Sequence, residues 1–169
     1  MSAEDTIRRL KSVVSDNLAA YLAAEDARQN DGLTTPVPAS TAYYLHRLPA
    51  VEPQILPAVA LYHDGADFEP MITSTDDDLH RVVIVYAVAE QDRAKLDAYA
   101  MRGGYAVRRL LRDPARWPAL SVTGTPTGFS GIIQLALTDQ RYVFDDVEGG
   151  GALVKGTALT LRCRERVSY

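Results

Sequence analysis

A single cysteine, Cys163, stands in a chain of 169 residues. That excludes a disulfide within the chain and any cysteine-based zinc site. No apolar run approaches the roughly 18 residues of a membrane-spanning helix, and the opening residues, MSAEDTIRRL, lack the apolar core of a signal peptide. Glycine (11) and proline (9) are too few for a collagen-like or low-complexity chain. A net charge of −4 argues against a surface built throughout to grip nucleic acid. The histidines His46, His63 and His80 are scattered, no serine sits in a GxSxG elbow, and no GxGxxG fingerprint occurs. What is there is globular: 47% hydrophobic and 24% charged residues without internal repeats. These features imply a soluble, cytosol-made single domain over 1–169, able to bury about 70% of its extended-chain surface without staples.

The first element reads as a helix. Ser2 with Asp5 fits a capping-box start, and Ile7, Leu10, Val14, Leu18, Tyr21 and Leu22 recur at helical spacing. Asn30-Asp31-Gly32 is its stop signal. Residues 29–54 then carry Pro36, Pro38, Pro49 and Pro53 without a sustained period, interrupted by Tyr43, Tyr44, Leu45 and Leu48. This Pro-rich arm or long loop either lies over its own domain or reaches a neighbouring subunit.

Two strands follow. Val59–His63 is apolar and bounded by Pro57 and Asp64-Gly65, and LHRVVIVYAVA (79–89) is the strongest β signal in the chain. Both faces of the latter are apolar, which predicts a central strand covered on each side. Asp92 caps a second helix with Leu96, Tyr99, Gly103, Ala106, Val107, Leu110 and Leu111 as its buried stripe, ended by Asp113-Pro114. Gly103 and Gly104 in mid-helix each cost about 1 kcal/mol relative to Ala; close approach of the helix to the sheet explains them. The last third reads as a strand over Phe129–Thr138 that continues after a kink through Arg141–Phe144. A flexible turn at Val147–Gly151 and an alternating strand through Leu159, Leu161 and Cys163 complete it. The resulting class is α+β: a predominantly antiparallel or mixed four-stranded sheet packed by two helices, in the order α-β-β-α-β-β.

Chemistry is sparse. Thr123–Gly131 is Gly-rich but leads into a strand and lacks the lysine of a phosphate-binding loop. His63, Asp64, Asp67, Glu69, Asp76, Asp77, Asp78 and His80 converge at a hairpin tip if the two strands pair. Such a cluster either holds a divalent cation or is a solvated acidic loop. Cys163, mid-strand on the apolar face, reads as a small inert hydrophobe. Arg102, Arg108, Arg109 and Arg112 follow the second helix, and Arg162, Arg164 and Arg166 the last strand. They either complement the helix dipole or form a positive surface matching the acidic 64–78 loop, which carries no Lys or Arg, on another copy. Opposite patches on one chain suit head-to-tail association.

The segment VVIVYAVAEQDRAKLDAYAMRGGYAVRRLLRDP (82–114), in this element order, resembles the tail-terminator or tail-completion (head–tail joining) proteins of long-tailed bacteriophages. The resemblance is one of pattern over residues 5–167. It implies a virion protein assembled in the host cytoplasm: a hexameric homo-oligomeric ring that caps the tail tube, with the tail-tube and head–tail connector proteins as partners. It brings no catalytic residue, and the expectation is of no metal, cofactor or membrane partner; direct nucleic-acid binding through the arginine faces is the weaker alternative to assembly. The candidate interface residues are Asp64, Asp67, Glu69, Asp76, Asp77, Asp78, Arg102, Arg108, Arg109, Arg112, Tyr43 and Tyr44. Alternatives are another neck or connector role, or a small metal- or ligand-binding enzyme using the His63–His80 cluster.

Overall fold

The computed structural model describes residues 3–48, 55–72, 75–113, 132–149 and 152–168. Among these are two helices, α1 (Ala3–Gln29) and α2 (Arg93–Arg112). The strands are β1 (Tyr43–Tyr44), β2 (Ala58–Ile72), β3 (Thr75–Glu90), β4 (Ile132–Gly149) and β5 (Ala152–Ser168). They form one five-stranded sheet in the order β1-β2-β3-β5-β4, with β1 parallel to β2 and every other neighbouring pair antiparallel. The class is α+β, as the pattern predicts, but the sheet has five strands where four were expected. The extra one is β1, whose Tyr43 and Tyr44 pair with Val59 and Ala60. Two residues offer no alternation to read, so tertiary contact decides this strand.

β3 is central and covered on both faces. Val82, Ile84, Tyr86 and Val88 pack beneath the helices with Leu10, Leu18, Leu96 and Leu110. Val83, Val85 and Ala87 form a second, smaller core with Ala60 and Ala158 on the far face, flanked by Tyr44, Leu48, Leu56 and Phe144. Each large apolar side chain so enclosed contributes about 1.5–3 kcal/mol. The Asp92 carboxylate accepts from the Ala94 and Lys95 amides, satisfying the free N–H groups that open α2, and Asp113 ends the helix. α2 lies against the sheet at the two glycines: a Cβ on Gly103 would sit 2.1 Å from Tyr86 Cδ1, and one on Gly104 2.5 Å from Thr157 Cγ2.

Residues 30–48 lie over their own domain. The Thr35 amide and hydroxyl both donate to Asp26, at 2.8 and 2.6 Å, and the buried Tyr86 hydroxyl donates to the Pro36 carbonyl at 2.7 Å. Ser2, residues 49–54 and residues 114–131, with the Gly-rich stretch and the start expected for β4, fall outside the described residues.

The acidic stretch 64–78 is not the loop expected from its composition. β2 and β3 stay paired through Asp67↔Leu79, Glu69↔Asp77 and Pro70↔Asp76, and β5 follows β3 out to Thr75↔Ser168. Pairing on both sides of β3 satisfies its backbone groups, so a polar sequence keeps strand geometry. The kink expected in β4 is a register shift between Leu137 and Asp139. A second shift lies between Val143 and Val147, beside the left-handed Phe144 (φ 56°). Val147–Gly149, expected in a turn, are still strand.

Gly103→Ala drives a methyl into the Tyr86 ring and lowers unfolding free energy by about 3 kcal/mol, beyond what helix propensity would return. Urea unfolding of the variant measures this, and an unchanged midpoint would refute the close-approach account.

Candidate functional site

The hairpin register brings His63 and His80 together. His63 pairs with Val82 and His80 with Ala66, because β2 bulges between His63 and Ala66. Gly65 serves this bulge with φ +117°, a conformation that side-chain-bearing residues rarely adopt. Across it, His63 Nε2 and His80 Nδ1 lie 3.0 Å apart, the rings tilted by 58°. The pair borders an open cleft of 470 Å³ whose other lining residues are Glu4, Ile7, Arg8 and Leu45.

The groups facing the pair come from four elements. α1 supplies Glu4 and Arg8, joined to each other at 2.6 Å; β2 supplies Asp64, β3 Arg81, and β5 Cys163, opposite His80. Burial and the neighbouring His80, with a smaller push from Arg81 against the pull of Asp64, hold the His63 imidazolium pKa below its ordinary value of 6.5. Two imidazoles at this distance share one proton as donor and acceptor; a second proton removes the acceptor and sets like charges against each other.

Asp64 is ion-paired to Arg47. Glu69 stands opposite Asp77 in register, Asp77 also opposite Arg166, and Asp78 opposite Glu165. Among the described residues no three His, Cys, Asp or Glu side chains gather as a metal site.

The arginines divide by helical phase. Arg102 is 2% exposed and held by Asp26 at 2.9 Å and by Asp31. It therefore cannot serve as the surface residue that sequence reading made of it: its guanidinium ties α1 and the following turn to α2. The Leu33 amide, with Arg102, keeps the Asp31 carboxyl below the usual carboxylate range against the opposing effect of desolvation. One turn pair further on, Arg109 reaches the buried Glu25 at 2.6 Å. Arg108 and Arg112 point elsewhere and have no carboxylate partner among the described residues. Tyr43 is buried in the main core, where burial and then Asp16 push its phenol pKa up, and Tyr44 is half-buried against the second core. Neither tyrosine offers a free face like that of Arg112.

Sequence reading missed a groove between α2 and β4. It is lined by Tyr105, Arg108, Gln140, Arg141, Tyr142 and Thr157 and measures 260 Å³. Tyr105 lies off the apolar stripe of α2, and that was its one signal.

No family model and no curated protein matches the chain. Among solved structures it is similar to a chain described as "Virion of native gene transfer agent (GTA) particle", at 15% identity and a TM-score of 0.47, covering 86% of this chain and 94% of that one.

Two outcomes follow from the geometry. A histidine with a depressed folded pKa stabilises the fold through its neutral form; the contribution is complete above the ordinary 6.5 and lost as pH falls through the folded value. NMR titration is expected to place the His63 midpoint below 6.5, and His80→Gln to raise it. A midpoint at or above the ordinary value would overturn the coupling. Separately, Arg102→Ala removes a buried guanidinium from between α1 and α2, leaving Asp26 to Thr35, and costs about 2 kcal/mol in urea unfolding, whereas Arg112→Ala stays within about 0.5 kcal/mol.

Proposed function

We propose that this chain is a structural assembly protein of a phage-type virion, a tail terminator whose copies close into a ring on the end of the tail tube and meet the head connector. It works by shape and charge and not by turnover. The observation that carries this reading is the overhang of the sheet. Among the residues whose side chains are described, the buried rows run out to Leu61, Val82 and Cys163, and β3 and β5 remain paired beyond them to Thr75 and Ser168. From His80 to Thr75 the ledge extends about 17 Å at strand rise. A paired ledge beyond the core adds little to the stability of one chain, and it has the form of a surface meant for a neighbour.

The rest of the exterior agrees with assembly. The element order is that of the resembled family with one short strand added. Charges of both signs are separated along the chain, acidic on the 64–78 hairpin, with the β5 arginines beside it, and basic on the outer face of α2, as head-to-tail contact would use. The titratable pair at the ledge root, His63 and His80, lies opposite Cys163 on an open cleft, and among the described residues no three His, Cys, Asp or Glu side chains gather there to hold a metal.

Light scattering at low salt, with and without tail-tube protein, tests the proposal. The expected result is a closed oligomer whose mass falls as salt screens its surface charges, and ring-shaped density at tube ends by electron microscopy. A chain that stays monomeric at every salt concentration, tubes included, would refute it.

A further inference from the structure

Resting on the assembly reading above, the geometry points to a specific contact: we propose that the groove between α2 and β4 receives the acidic β2–β3 hairpin of a second copy.

The groove is built as a strand-docking site. β4 has β5 as its one strand partner among the described residues, and its Asp139–Val143 stretch runs in unbroken register between the two bulges. Among the described residues that stretch is an open sheet edge, with backbone donors and acceptors available to an added strand. The walls carry the residue types enriched where proteins bind one another. Tyr105 and Tyr142 are 38% and 51% exposed, two of the four large exposed apolar side chains among the described residues. Arg108 and Arg141 flank them. The buried Gln140 Oε1 has no hydrogen-bond partner, an acceptor waiting for a donor.

Charge selects the occupant. Arg108, Arg112 and Arg141 lack carboxylate partners among the described residues; no acid is among the described residues lining the groove, with Asp139 and Asp97 in the two adjoining clefts. The hairpin segment 64–78 carries Asp64, Asp67, Glu69, Asp76, Asp77 and Asp78 and no Lys or Arg. Among the described residues its outer strand is open too: β1 covers β2 at Val59 and Ala60, and the paired length from Leu61 outward has β3 as its one strand partner. β2 and β4 are opposite edges of one sheet, so joining one to the other is heterologous and leaves each bound copy with one edge still open.

That asymmetry supplies the test. Arg108→Gln with Arg141→Gln disables the groove, and Asp76→Asn with Asp77→Asn disables the hairpin; thermal melts confirm that both variants fold. Each variant alone is expected to be monomeric at concentrations where the wild type assembles, with at least tenfold weaker self-association. Mixed together they should form a one-to-one dimer and stop, since each contributes one intact surface. If either variant assembles like the wild type, or the mixture does not dimerise, the contact is wrong while assembly stands. A wild type that never assembles removes the assembly reading itself.

Discussion

Tyr86 is where the layers of this protein are fastened to one another. Its ring is fully buried on the central strand and lies against Gly103, so α2 approaches the sheet more closely than any side chain there would permit. Its hydroxyl leaves the other side of the contact and donates to Pro36, fixing the arm. Burial pushes the phenol pKa far above its ordinary value, with Asp26 and the neighbouring tyrosines adding to the effect, so the group stays a neutral donor. One residue thus sets the depth of a helix and the course of a segment with little periodicity of its own. The penalty of Gly103 within the helix is offset by the aromatic surface it allows α2 to cover.

The seating of α2 also decides which of its charges are structural. With Gly103 against the sheet, Arg102 and Arg109, seven positions apart, turn toward α1 and meet Asp26 and Glu25. Tyr105, Arg108 and Arg112 then share the opposite stripe. The helix carries two basic faces with different duties. The inner one is paired, through the buried Arg102 and through Arg109 on the buried Glu25, where loss of a partner is costly. The outer one stays solvated, where charge governs encounter more than stability.

This division marks what the sequence could reveal. β3, the buried stripe of α2, its Asp92 cap and its Asp113 stop were all legible, because each rests on local spacing or on one residue's own geometry. Even the two glycines were legible, since a mid-helix cost invites a packing reason. Arg102 was not: it differs from Arg108 in the sequence by nothing except phase, and its partners Asp26 and Asp31 lie in another element. The acidic stretch misled for a related reason. A run such as Asp76-Asp77-Asp78 reads as solvated loop, and only the ladder to β5 holds it as strand. Half of the histidine site was visible. A hairpin between two runs joins His63 to His80, but the bulge that aligns their nitrogens depends on the φ of Gly65.

The ledge, finally, constrains how such a molecule can associate. A sheet has two edges, and here they differ: β2 is acidic along its outer half, whereas β4 lies beneath an arginine-bearing helix face. Like edges of two copies would bring like charges together, which disfavours a two-fold pairing of hairpin with hairpin. In the proposed contact unlike edges meet under the arginines of α2, and their union is heterologous. A heterologous contact repeats until rotation brings the last copy back to the first. On the proposed reading, closure is the useful event: a closed ring has consumed every free edge and offers no further strand to a growing tube. The bulges on β4 serve the same end, because they confine the open edge to a short run and deny an indefinite partner the rest. Termination of growth would then be a property of where the register breaks.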